Sequence, residues 1–303
     1  MRRLGFTMIE LVFVIVVMGI IGKFGVEFLA QAYKGFIFSN VNHSLQANGE
    51  MAVESIATRL QYRIKDSVIG RESANANFTT NYRAIGSASG SQYNILEWVS
   101  TDIDGFRGAR LPNWSGIIDL ENPLTTNSLL VSPGTDTTAT SSLISILSNG
   151  RSDINDSALY FIGSESDIDN YGWDGNAIIN QTSVMHPIRN SATANEFVPR
   201  IGGTANDNNF TGVDVYEYYK LAWTAYAIGI DDYDNNDNNG TLTLWYNYQP
   251  WEGEVYTDGN SSVIMHNVST FQFKSIGSII KIQVCVNSDL VEDYSLCKEK
   301  TIF

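Results

Sequence analysis

The stretch that most limits how this chain can fold lies at its beginning. Met1-Arg2-Arg3-Leu4-Gly5-Phe6-Thr7-Met8-Ile9-Glu10 leads into an unbroken apolar run from Leu11 to Gly22. That run is twelve residues long, or seventeen if it is extended back to Phe6 with Glu10 inside. A helix that spans a bilayer needs about 20 mostly apolar residues. A carboxylate held in hydrocarbon costs about 3 kcal/mol on insertion scales. The stretch is therefore short for an ordinary anchor and carries a charge where an anchor should not. The residues alone allow two readings. One is a secretory signal peptide, with Arg2 and Arg3 as the basic region and Ala30-Gln31-Ala32 as the cleavage site. The other is a signal anchor whose arginines stay in the cytoplasm.

A third reading rests on resemblance. Gly5-Phe6-Thr7-Met8-Ile9-Glu10-Leu11 resembles the class III signal of type IV pilins and type II secretion pseudopilins. In that family a short basic leader ends in Gly, Phe follows, and Glu stands fifth in the mature chain. Phe6 and Glu10 occupy those two places here. The match covers the leader and the apolar run only. It implies that a prepilin peptidase cuts between Gly5 and Phe6 and that the new Phe6 amine is methylated. It implies as partners other pilin or pseudopilin subunits and an inner-membrane assembly platform. It also gives Glu10 a role in assembly. A buried carboxylate is costly unless paired, and pairing with the Phe6-type ammonium of a neighbour sets the axial register. The expected location is a single pass through the inner membrane, N-terminus in the cytoplasm and head in the periplasm, before assembly into a filament.

Residues 6–68 hold no proline. Gly19, Gly22 and Gly25 each cost a helix about 1 kcal/mol relative to Ala, which a membrane tolerates more easily. They mark either a place where the helix bends or a surface for close helix packing. Farther on, Val41, Leu45, Ala52, Ile56, Leu60 and Ile64 recur at spacings of four or seven, one apolar stripe on a helix. Asn42, Glu50, Glu54, Arg59 and Lys65 lie between them. The pattern predicts a helix of two halves, one apolar all round and one amphipathic, extending about 90 Å if continuous over some 60 residues. The expected division is a leader at 1–5, a membrane or filament-core half at 6–35, an amphipathic half at 36–68 and an exported β-rich head at 69–303.

The chain as a whole is acidic, with 19 Lys and Arg against 33 Asp and Glu and a formal net charge of −14. Phosphate binding needs a basic surface, so the charge argues against nucleic acid as a partner of the head. Strands are expected at 93–99, 116–120, 159–162, 218–230, 242–248, 268–273 and 279–286, with a short helix at 142–147. Residues 164–180 and 202–212 are long polar loops, which compact domains usually keep for function. The fold class is α+β: a long N-terminal helix packed on an antiparallel β-sheet head with large loop insertions, as the resemblance also implies. Cys285 and Cys297 are the two cysteines. In an exported chain they form a disulfide, and in a cytosolic one they remain thiols. Ile280, Ile282, Val284 and Val286 alternate onto one strand face and Cys285 onto the other. The bridge is therefore expected outside the core, tying residues 298–303 to a sheet edge.

No nucleophile elbow, zinc-protease helix or phosphate loop occurs. His43, His186 and His266 have no metal-ligand spacing, and His43 is expected on the helix surface. The reading is therefore non-enzymatic. The densest polar segment is Asp231-Asp232-Tyr233-Asp234-Asn235-Asn236-Asp237-Asn238-Asn239-Gly240. Two readings stay open there: a hairpin turn signalled by Asn-Gly, or the same turn holding Ca²⁺ through Asp232, Asp234, Asp237 and Asn239, since closely spaced oxygens suit that ion. Asp167, Asp169 and Asp174 form a sparser group. Trp223, Tyr226, Trp245, Tyr246, Tyr248 and Trp251 are either cross-strand pairs or an exposed platform for a carbohydrate or partner. Head size favours a minor subunit, at or near a filament tip, resembling the larger minor pseudopilins. The rival functions are a membrane-tethered surface adhesin or binding protein, whose long loops meet a secreted substrate or surface ligand, and an exported soluble protein.

Overall fold

The computed structural model describes residues 7–165, 167–179, 181, 184–200, 209–291 and 294–303. It begins with α1 (Met8–Leu60), 53 residues without a break and about 80 Å long. Its first half is rich in Val and Ile, poor helix formers in water. In hydrocarbon only a helix satisfies such a segment's own backbone. The helix runs straight through Gly19, Gly22 and Gly25, where an added Cβ would touch nothing within 4 Å.

None of residues 7–40 is buried. From Val41 onward one stripe is: Val41, Leu45, Gly49, Ala52, Val53, Ile56, Ala57 and Leu60. Burying each large aliphatic side chain here stabilises by about 2 kcal/mol, and Ile56→Ala would cost about 3 kcal/mol through the cavity it leaves. The helix stops at Leu60, short of the expected Val68. Gln61 caps it, Arg59 in the last turn suits the helix dipole, and Ile64 is already extended, with its N–H on the Val99 carbonyl at 2.9 Å. Ile64 fits the helical spacing yet is buried in a different core.

The head has two antiparallel sheets. The larger is built from β1 (Ile69–Glu72), β2 (Tyr82–Ala84), β3 (Tyr93–Ser100), and, after the smaller sheet, β9 to β13; the smaller uses β4 (Leu130–Val131), β5 (Ala158–Phe161), β6 (Met185–Asn190), β7 (Glu196–Pro199) and β8 (Tyr219–Ala222). The later strands are β9 (Thr224–Asp234), β10 (Asn239–Tyr248), β11 (Asn260–Ile276), β12 (Ile279–Asn287) and β13 (Ser295–Ile302). The orders are β13-β12-β11-β10-β9-β3-β1-β2 and β4-β7-β6-β5-β8. The run expected as one strand at 218–230 is thus two. It breaks at Trp223, and its halves join different sheets. The segment 116–120 forms no strand, only a bridge between Ile117 and Tyr218. Two short helices complete the fold: α2 (Ile103–Arg107) and α3 (Thr137–Leu147). Asp102 caps the first through Gly105 N, and Asp136 caps the second through Thr138 N and Ala139 N.

Alternation along each strand sorts side chains into layers. Leu96 and Trp98 of β3 face α1 with Ile280, Ile282, Val284 and Val286 of β12. Ile95 and Val99 face the opposite way, toward Tyr171, Trp173, Tyr248 and Trp251. In β5, Ala158 and Tyr160 join that middle core, while Leu159 and Phe161 join a third one with Ile144, Phe197 and Tyr219. The result is helix on sheet, with the second sheet and α3 beyond. The loop at 164–180 is not free: Tyr171 and Trp173 are buried.

Candidate functional site

Thr7 and Glu10 form a capping box at the start of α1. The Thr7 backbone N–H and hydroxyl both donate to Glu10 Oε2, at 2.9 and 2.8 Å, and Glu10 N–H donates to Thr7 Oγ1 at 3.4 Å. Two otherwise orphaned helix donors are satisfied this way, and the carboxylate sits at the positive end of the helix dipole. The Thr-x-x-Glu spacing was a readable signal for this role. The carboxylate that looks misplaced in an apolar run has a partner within its own chain. Gly5 and Phe6, the expected cleavage and methylation positions, lie outside the described residues. No protein-family model, curated protein or solved structure matches this chain.

The helix that follows is long and apolar enough to cross a membrane by length and composition. Its position near the N-terminus also suits a signal sequence. Phe13, Phe24, Phe28 and Leu29 are each about two-thirds exposed or more. Lys23 and Glu27, one turn apart at 3.8 Å, put a neutralised ion pair just past the apolar run. His43 lies exposed on the helix, as its pattern suggests.

At the other end of the chain, Cys285 and Cys297 are disulfide-bonded. They face each other across β12 and β13 with Cα atoms 4.0 Å apart. The final segment is therefore the edge strand itself rather than a tail tied to the edge. Lys298 and Lys300 reach from it to Glu50 and Glu54 of α1, the first pair at 3.4 Å.

The Asp- and Asn-rich segment is the tip of the β9–β10 hairpin. Asn239 and Asp234 are its last paired residues. Asp234 Oδ1 accepts the Asn236 N–H at 2.7 Å and its side-chain amide at 3.0 Å, an Asx turn. Asp232 and Asn238 take left-handed backbone at φ 50° and 48°, which Asp and Asn tolerate better than most residues. Asp237 lies in the turn between them. Among the described residues, no group of three or more His, Cys, Asp or Glu side chains gathers as a metal ion requires. Asp169 accepts instead from the Tyr82 hydroxyl at 2.9 Å.

The aromatic set divides between cores and a ladder. Trp223, Trp245, Tyr248 and Trp251 are buried. Tyr226 stands between Trp98 and Tyr246 in register across three strands, with Trp98 and Tyr226 ring centres 5.7 Å apart. These residues hold sheets together and offer no open platform.

Sequence reasoning missed the deepest polar cluster. Arg71 and Glu97, buried to within 1% of full enclosure, form an ion pair on neighbouring strands. Arg71 also donates to Asn81 Oδ1 at 2.6 Å and to the Trp173 carbonyl at 2.9 Å, and Tyr248 donates to Glu97 Oε2 at 3.0 Å. Burial, with Glu97 beside it, pushes the Tyr248 phenol well above its usual range. With Glu97 and Arg71 buried and each paired inside the protein, the cluster braces the middle core. His186 is the second surprise. It is fully buried against Phe161, ring centres 4.9 Å apart, and burial drives its pKa down to about 3.

Proposed function

We propose that this chain is a minor subunit of the pilin and pseudopilin type, anchored in a membrane by α1 and then packed by the same helix among others. The carrying observation is the division of α1. Its last third is the centre of the head's first core, and Ile37 and Phe38 rest against that core and Tyr294, while residues 7–36 pack on nothing else in their own fold. So large an apolar surface needs cover from outside, from lipid at first and from neighbouring helices after assembly. The register Gly5-Phe6 with Glu10 supports the same reading. No bound metal and no catalysis enter the proposed role.

The mature N-terminus tests it. Mass spectrometry of the protein from its own membrane should find a chain that starts at methylated Phe6. A start after Ala32 would establish an ordinary signal peptide instead. An unprocessed Met1 would establish a simple tether, as a surface-binding protein needs.

A further inference from the structure

β11 is 17 residues long and changes partners part-way. Asn260 to Val268 pairs with β10, and Val268 to Ile276 pairs with β12. Between Asn260 and Asn267 the edge turned away from β10 therefore has no strand partner among the described residues. Its register with β10 is regular over Asn260–Val263 and shifts twice between Val263 and Val268, where Asn267 is left-handed at φ 59°; alternate residues of the regular part aim their N–H and C=O groups outward. This edge forms one wall of a groove of about 700 Å³. Ser44, Asn48, Met51 and Ser55 of α1 form the opposite wall, and the segment 286–290 closes one end.

Natural sheets guard free edges with charge, proline or bulges, or cover them, and the two bulges of β11 leave Asn260–Val263 as the regular part of this edge. β13 does so with Lys298, Glu299 and Lys300, and its lysines are clamped to α1. Asn260-Ser261-Ser262-Val263-Ile264-Met265-His266-Asn267 carries no Lys, Arg, Asp, Glu or Pro, and Val263 is half exposed. The edge is open, uncharged and recessed beside the helix. A second copy offering the same edge would bring its own α1 into the space, whereas a single strand needs only about 5 Å of width.

The charges at the groove's ends give it a direction. Asp289 lies at the Asn267 end, where its carboxylate accepts the Asn267 amide at 2.7 and 2.8 Å. Arg59 also lines the groove, and because Asn42 of α1 is held by Tyr294, which bonds Ser288 at the Asn267 end, Arg59, farther along the helix, falls at the Asn260 end. One nitrogen of Arg59 is held by the Ser55 carbonyl and hydroxyl at 3.0 and 2.9 Å, and among the described residues it has no salt bridge. A strand added antiparallel to β11 would begin near Asp289 and end near Arg59. An ammonium or lysine suits its start and a carboxylate suits its end.

We propose that the free edge of β11 is a strand-addition site for the extended C-terminal tail of another protein, bound antiparallel with its terminal carboxylate on Arg59. Backbone bonds along the regular stretch 260–263 supply affinity, and shallow apolar contacts with Met51 and Val263 supply a preference for alternating side chains. The site does not depend on how the N-terminus is processed.

The test uses the full-length chain in detergent micelles against a library of octapeptides displayed with free C-termini. The strongest binder is then synthesised as acid and as amide. Binding of the acid should protect residues 260–263 from amide hydrogen exchange, and the amide should bind about tenfold more weakly, the factor for loss of one charge-assisted contact. Arg59→Gln should bring the acid to the level of the amide with the melting temperature unchanged. Val263→Lys should weaken both forms by guarding the edge. An unenriched library, protection confined to another surface, or equal affinity of acid and amide would overturn the proposal.

Discussion

Among single residues, the proposed function gives Glu10 a second role beside its cap, and chemistry can separate the two. As the third residue of α1 it accepts from Thr7, and glutamine serves that position nearly as well. As a partner for a neighbour's terminal ammonium it must be charged. Glu10→Gln should therefore keep the helix start and the membrane form of the protein but lower its incorporation into filaments as much as Glu10→Ala does. Wild-type incorporation of the glutamine variant, measured by shearing and immunoblotting, would leave the cap as its only role. His186 makes a separate claim. In the fold its pKa is about 3, against about 6.5 in an unfolded chain. The unfolded state thus binds the extra proton throughout the interval between them, and stability is full above about pH 6.5 and falls as pH drops. The loss should be about 2 kcal/mol by pH 5, at roughly 1.36 kcal/mol per pH unit. Melting curves across pH 4 to 7 check it, and His186→Phe should flatten the slope. Removing one member of the buried pair, as in Glu97→Gln, should cost about 3 to 5 kcal/mol because Arg71 is left uncompensated. Denaturant titration would measure that cost.

At the level of elements, the β12–β13 hairpin relies on its bridge. Replacing Cys285 and Cys297 by Ser should cost about 3 kcal/mol in the chain-entropy view of a short loop and expose residues 295–302 first to hydrogen exchange. The hairpin tip at 231–240 should respond differently. Asp234→Asn keeps the acceptor for Asn236, so its melting temperature should match the parent within about a degree, with Ca²⁺ or without. A Ca²⁺-dependent difference would restore the ion-binding reading. Elements with one clean period were legible in the sequence. Val41 to Leu60 carries the helical stripe, and Ile280 to Val286 alternates as a strand does, so both were found with their buried faces. Ile64 was misleading because it extends the helical spacing while it packs in another core. The run at 218–230 looked like one strand because each half is apolar, and nothing local marks Trp223 as the change of sheet. Arg71 and Glu97 had no local signature at all, since their meeting depends on the pairing of β1 with β3.

For the whole molecule, the division of α1 makes the head separable. Because Ile37 and Phe38 are the first residues of α1 to pack on the head, a chain that begins at Gly35 should stay in solution without detergent and melt within a few degrees of the full-length protein. Precipitation or a molten near-ultraviolet spectrum would mean that the free half supports the head after all. The candidate site was half legible on this scale: Gly5, Phe6, Glu10 and the cysteines stand out by type and spacing, while the β11 groove arises only when three strands and a helix are brought together. The same division has a mechanical side. α1 is a cantilever, clamped from Ile37 to Leu60 and free for about 45 Å before that, at 1.5 Å per residue. A pull on its free end enters the head along the clamped stripe and passes as shear into β12 and β13, where Lys298 and Lys300 grip Glu50 and Glu54. The covalent rung between Cys285 and Cys297 keeps those two strands from sliding past each other. Load would have to strip the helix from the sheet as a unit before the edge could unzip.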